Sequence, residues 1–179
     1  GTTPAITIDS DLNINLLHDT VISNTDNQTT LTLVSTHENQ FAAPILKLYR
    51  NSSSPVNDDV TGVIQFEARN NNSQDIVSSE IKSVTSDVAD GTEDGYLAFS
   101  VMNAGTLDLF LGISGPETCI NDLSKDHDFR VESNGNANML FVDGGNDRIG
   151  IGTNSPASTL QVGDGSAQSV ITIKSPNDS

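Results

Sequence analysis

Three histidines, one cysteine and 24 carboxylates are the groups through which this chain of 179 residues could do acid–base, nucleophilic or metal chemistry. His18, His37 and His127 are scattered, and none stands at metal-ligand spacing from another histidine or from the cysteine. His127 lies among Lys125, Asp126 and Asp128, which reads first as a solvated charged turn and only second as half of a catalytic dyad. Cys119 has no partner for an intrachain disulfide and no Cys/His signature around it, so it reads as a small half-buried thiol. Two acidic stretches, Asp87 to Asp94 and Asp143 to Asp147, offer hard oxygen ligands of the kind calcium takes. Neither has EF-hand spacing, and both read first as turns facing water. Gly150-Ile151-Gly152 lacks the third glycine, the helix and the downstream acid of a dinucleotide site. No nucleophile elbow, zinc-binding His-Glu-x-x-His or P-loop is present. The expectation is a chain with no catalytic residue, no metal and no cofactor.

The elements that would position any such group are strands. Period-two alternation runs through Thr30–Val34, Ile45–Arg50, Val63–Arg69, Ser79–Val84, Tyr96–Val101 and Leu107–Leu111. It continues in Asp128–Glu132, Met139–Val142, Arg148–Ile151, Thr159–Val162 and Val170–Lys174, and it is also present earlier, in Ala5–Asp9 and Leu12–Leu16. Segments of four to seven residues with one apolar and one polar face are half-buried antiparallel strands. Between them stand Asn-Gly, Asp-Gly and Asn/Ser/Pro clusters, the residues that tolerate turn geometry. Asn, Ser, Thr and Asp make up 74 of the 179 residues, and they compete with helix for backbone hydrogen bonds. Little helix is expected.

Composition bounds the rest. Ile, Leu, Val and Phe number 47, enough for folding, but six Phe, two Tyr and no Trp promise a thin core. The formal charge of −16 argues against phosphate backbones and anionic membrane surfaces, which need clustered cations. No apolar run reaches the length of a membrane span. A shift near Ser114-Gly115-Pro116 separates longer strands from short ones spaced by Gly and Asn. It sets an expected β-rich module over 1–115, a short-strand module over 116–162, and the start of a further strand region or a tail over 163–179. The chain begins without Met and is expected to be a segment of something longer.

In the second module, Asp143-Gly144-Gly145-Asn146 supplies turn residues, and Arg148 is placed to pair with a nearby carboxylate. Gly150 and Gly152 flank Ile151 and leave one strand face nearly bare, which lets another backbone approach closely. Gly144, Gly145, Gly150 and Gly152 are therefore the expected structural positions. The neighbour at the bare face is either another chain around a shared axis or a bulge within one sheet.

The run Asp128-Phe129-Arg130-Val131-Glu132-Ser133, followed by Met139 through Pro156, resembles the "LFVDGGNDRVGIGTxSP" module of tail-fibre and related virion structural proteins of tailed bacteriophages, those of marine phages above all. Pro44–Arg50 through Phe66, and Asp90–Gly95 leading into Val101, also fit those proteins, so the resemblance spans roughly 40–162. It implies an all-β fold of short antiparallel strands, intertwined or side by side in an elongated homotrimeric fibre. It implies an assembly core of Phe129, Leu140, Phe141, Ile149 and Ile151. The implied partners are further copies of the chain, other virion proteins and a host-surface glycan or protein, with no nucleic acid and no membrane insertion. The implied location is the virion surface. A capsid-decoration or head-fibre protein, a bacterial surface adhesin and a tailspike-type glycan hydrolase are the alternatives. The last is disfavoured by the shortage of aromatic platforms.

Overall fold

The structure is a computed structural model that describes residues 20–173 except 24, 26–28, 37, 39, 41 and 42. His18, His37 and the alternating segments Ala5–Asp9 and Leu12–Leu16 lie outside the described residues. The chain divides into two compact units, Gly1–Lys47 and Leu48–Ser179. The described residues of the first form no strand or helix, and Val21, Ile22, Leu31, Leu33 and Val34 are exposed there.

The second unit carries nine strands in two sheets, and no helix occurs among the described residues. The first sheet is an antiparallel meander of β1 (Asp59–Arg69), β2 (Asp75–Asp87), β3 (Asp94–Asn103), β4 (Thr106–Ser114) and β5 (Thr118–Ile120), in that order. The second takes β6 (Phe129–Val131), β7 (Leu140–Asp143), β8 (Arg148–Ile151) and β9 (Leu160–Val162), also in chain order. All-β architecture is therefore as expected. The antiparallel rule has one exception, since β9 runs parallel to β8. A parallel pair needs a crossover of a dozen residues or more in the usual case. Here 152–159 suffice, starting with a left-handed turn at Gly152 (φ 77°).

Strand lengths also depart from expectation. β1 to β4 run for 9 to 13 residues, because the polar positions flanking each apolar run continue the ladder. Conversely, Thr30–Val34, Ile45–Arg50 and Val170–Ile173 alternate in sequence but form no strand. Alternation states which face would be buried; a strand also needs a neighbour for its N–H and C=O groups.

Register sorts the first sheet into two unlike faces. Ile64, Ile81, Phe99, Leu111 and Ile120 stand opposite one another across all five strands. The row two residues along holds Gly62, Ser83, Leu97, Ile113 and Thr118, and on the other side Phe66, Ser79, Val101 and Asp108. The opposite face carries Gln65, Glu80 and Ser100 in one row, and Val63, Lys82, Ala98, Gly112 and Cys119 in the next. There Gln65 Nε2 donates to Glu80 Oε2 at 2.8 Å, and Lys82 Nζ lies 3.5 Å from Glu80 Oε1. A register shift between Phe99 and Ser100 breaks the apparent stripe Leu107-Leu109-Leu111: Leu111 pairs with Phe99 but Leu109 with Ser100, so the two face opposite sides.

Apart from glycine and proline, the buried apolar residues among those described are Ala98 and Phe141. Ile64, Phe66, Val101, Ile113 and Ile120 on the apolar face remain exposed.

Candidate functional site

Of the groups singled out in the sequence, His127 and Lys125 meet Asp108 at the turn that carries the chain from β5 to β6. Asn121 and Ser124 take positive φ there, 64° and 50°. Asn121 clamps the turn from both ends of its side chain: Lys125 N–H donates to Oδ1 at 2.9 Å, and Nδ2 donates to the Lys125 carbonyl at 2.6 Å. This Asx-type closure swings His127 back onto β4. Its ring stacks on Phe110 with centroids 4.1 Å apart and planes 10° from parallel. Nε2 sits 3.5 Å from Asp108 Oδ2 and 3.1 Å from Asn103 Nδ2, while Lys125 Nζ is 3.8 Å from Asp108 Oδ1.

The imidazole is only 8% exposed, which corrects the expectation of a solvated turn. Local charge at Lys125, Asp126 and Asp128 concealed a contact made with β4, 17 residues upstream. An Asp–His pair is the base half of a hydrolytic triad, and such a pair needs a hydroxyl or thiol on the second ring nitrogen. Nδ1 is buried and has no hydrogen-bond partner. The contacts with Phe110 and Asp108 tie the β5–β6 turn to β4.

The fastening continues into the β7–β8 turn. Gly144 N–H donates to Asp128 Oδ1 at 3.1 Å. A Cβ at Gly144 would strike the His127 carbonyl, and one at Gly145 would lie 2.5 Å from an Asp126 carboxylate oxygen. Neither glycine takes positive φ; within Asp143–Asp147 that conformation falls on Asp147 (φ 55°). These two glycines thus leave room for the neighbouring linker of the same chain. Gly150 is buried, and a Cβ there would collide with the Thr153 carbonyl, also of the same chain. Gly152 differs: its φ of 77° asks for glycine, whereas a Cβ there would meet Asn136 and Gly163 only at ordinary contact distance, 3.9 Å.

The acidic stretch Asp143–Asp147 is organised as a turn. Asp143 accepts from Asn146 N–H at 2.9 Å and from Asn146 Nδ2 at 2.9 and 3.0 Å. Those side-chain bonds, opposed by slight burial and helped by the Asn146 and Gly145 backbone and by Arg148, hold its carboxyl below the usual carboxylate range. Arg148 spends its guanidinium differently from expectation, donating through Nη1 to the Pro156 carbonyl at 2.8 Å. It thereby closes the crossover loop. In the other acidic stretch, Asp87 Oδ1 accepts from Ala89 N–H at 3.0 Å and Glu93 from Gly91 N–H at 3.1 Å.

Of the five expected core residues, Phe141 is buried, Phe129 and Leu140 are half-buried, and Ile149 and Ile151 are exposed. Phe129 pairs with Val142, which in turn pairs with Ile149, so those three share a row. Cys119 lies on the polar face, half-buried. Its thiol is pushed up from the ordinary range by burial first, then by the Asp122 side chain and by Glu117. That is the reverse of what activates a nucleophile.

The fold and this site together define an all-β chain with a latched pair of amphipathic sheets. No family model, curated protein or solved structure matches it.

Proposed function

We propose that this chain is a structural component of a bacteriophage virion, a tail-fibre segment forming a trimeric shaft or projection that supports host recognition. The observation that supports the reading is how the residues of the resemblance are used. Asp128, Gly144, Gly145, Arg148, Gly150 and Pro156 all serve to hold backbone against backbone in a compact unit. A segment so employed bears load and spacing rather than turnover, and on this reading the chain is not an enzyme and works without a cofactor. Three chains follow from the resemblance to tail fibres. The partners are copies of itself, other virion proteins and a host-surface glycan or protein, and the place of action is the outside of the particle.

Electron microscopy of intact phage particles with gold-labelled antibody against residues 59–162 tests this. Label on tail projections is the expected result. Label confined to the head replaces the fibre with a head-fibre or decoration protein, and particles without label overturn the virion reading. Release of reducing sugar from host polysaccharide, abolished by a single carboxylate substitution, would replace the mechanical role with that of a glycan hydrolase.

A further inference from the structure

We infer that the apolar face of the β1–β5 sheet is the surface on which a second copy of this chain docks, through the row Ile64, Ile81, Phe99, Leu111 and Ile120. This names the contact for the self-association proposed above, and rests on that part of the reading alone.

An antiparallel sheet with one polar and one apolar face is half of a two-layer domain. On the polar half Gln65 and Lys82 both reach Glu80, so that this buried carboxylate is satisfied within its own face. Among the described residues of Leu48–Ser179, the apolar half is covered only at its edges, by Leu48 at Gly62 and by His127 over Asp108 and Asn103. Ile64 is 40% exposed, Phe66 52% and Ile120 45%. Leu48 covers only the Gly62 end, and beside it a cavity of about 200 Å³ opens between Ile64, Ile81 and Leu97. That hole is apolar and suited to a side chain from a facing layer.

Size and charge both point to a copy of the chain. Four long strands about 4.8 Å apart and about nine residues long give a face of roughly 600 Å², corrugated by its side chains. Two such faces laid together bury about 1,200 Å² in all, the lower end of the range for specific, stable interfaces. The two rows through Ile64 and Gly62 contain no charged residue, and in the third the carboxylate of Asp108 is buried beneath His127, although the chain carries a formal charge of −16. A partner recruited by charge would find nothing to bind here, whereas two acidic copies can meet here without bringing like charges together. The cover is also needed whenever the chain is folded, since Ala98 is the sheet's one buried apolar residue outside glycine and proline. A second copy is always present in equal amount.

Two neighbours in β1 supply the test. Ile64 and Val63 are 40% and 38% exposed and point to opposite faces. Ile64→Glu is expected to shift the mass measured by light scattering from oligomer to single chain, and Val63→Glu to leave the oligomer intact. A wild-type chain that is monomeric at micromolar concentration overturns the inference, as does an Ile64→Glu chain that still assembles. Should Ile64→Glu fail to fold, methyl NMR of the wild type with a soluble paramagnetic agent decides. Ile64, Ile81 and Ile120 methyls are expected to be shielded while Val63 is bleached, and equal bleaching overturns the face. Two or three chains in the assembly both support it; two would remove the fibre geometry, and absence of label on virions would remove the virion reading while leaving the face standing.

Discussion

The two sheets solve the same problem by different means. The β1–β5 sheet relies on length: ladders of eight to ten residue pairs join β1 to β4, and its turns are ordinary. The β6–β9 sheet has ladders of only three pairs each. It compensates with bonds from side chain to backbone, such as Arg148 to Pro156, Gln161 Oε1 accepting from Ala157 N–H at 2.7 Å, and Asp128 to Gly144. A long ladder tolerates a local fault because its neighbours hold the register. A short one depends on each contact, so the same change should cost the second sheet more than the first.

Valine at glycine is the sharpest way to break that contrast. At Gly150 the new side chain meets the Thr153 carbonyl, which is backbone and cannot rotate away. Gly150→Val is expected to cost about 3 kcal/mol, the upper range for overpacking, and to melt the second sheet in urea before the first. At Gly112 the obstacle is the Tyr96 ring, which can swing aside, so Gly112→Val is expected to cost about 1 kcal/mol. Equal losses at the two sites would end the distinction.

His127 is next, since it belongs to both regions. His127→Ala removes the stack on Phe110 and the Asp108 contact, and a loss of about 2 kcal/mol is expected. Hydrogen exchange should then show the two sheets opening independently where the wild type opens them together. Unchanged coupling would mean the latch lies elsewhere.

The smallest effect is the response to pH, and its direction differs between the sheets. Asp143 is held low by Asn146, so its contribution is present above about pH 4 and lost as pH falls through its folded value. Tyr96 is pushed up by burial first and then by the charges of Asp122 and Cys119. Its contribution is present below about pH 10 and lost as pH rises through its folded value. Acid should therefore loosen the β7–β8 turn first, and alkali the β3–β4 pair. Amide exchange in wild type and Asp143→Asn checks this, the acid-dependent part disappearing in the variant.

Much of this was legible in the residues. Val63–Arg69, Tyr96–Val101 and Arg148–Ile151 are strands because alternation and turn chemistry agree there. β5 was missed because Thr118-Cys119-Ile120 is too short to show a period; its pairing with Leu111–Ile113 depends on a tight reversal in which Ser114 N–H donates to the Glu117 carbonyl at 2.9 Å. The burial of His127 is hidden for a related reason, its partners being distant in sequence. The structural importance of Gly144 and Gly150 could be anticipated from their clustering, whereas the neighbouring groups, His127 and Thr153, could not. Arg148 was expected to seek a carboxylate, yet a carbonyl at Pro156 lies within reach once the crossover folds.

The parallel pairing of β9 with β8 bears on how tension would travel. In a four-stranded antiparallel meander the chain leaves from the end at which it entered. Here β6, β8 and β9 point the same way and only β7 runs back, so the chain goes in at one end of the sheet and comes out at the other. Five antiparallel strands do the same in the first sheet. Each is a segment that advances the polypeptide rather than returning it. A pull on the two ends of such a sheet loads its ladders in shear, so the hydrogen bonds of a strand resist together instead of unzipping one after another.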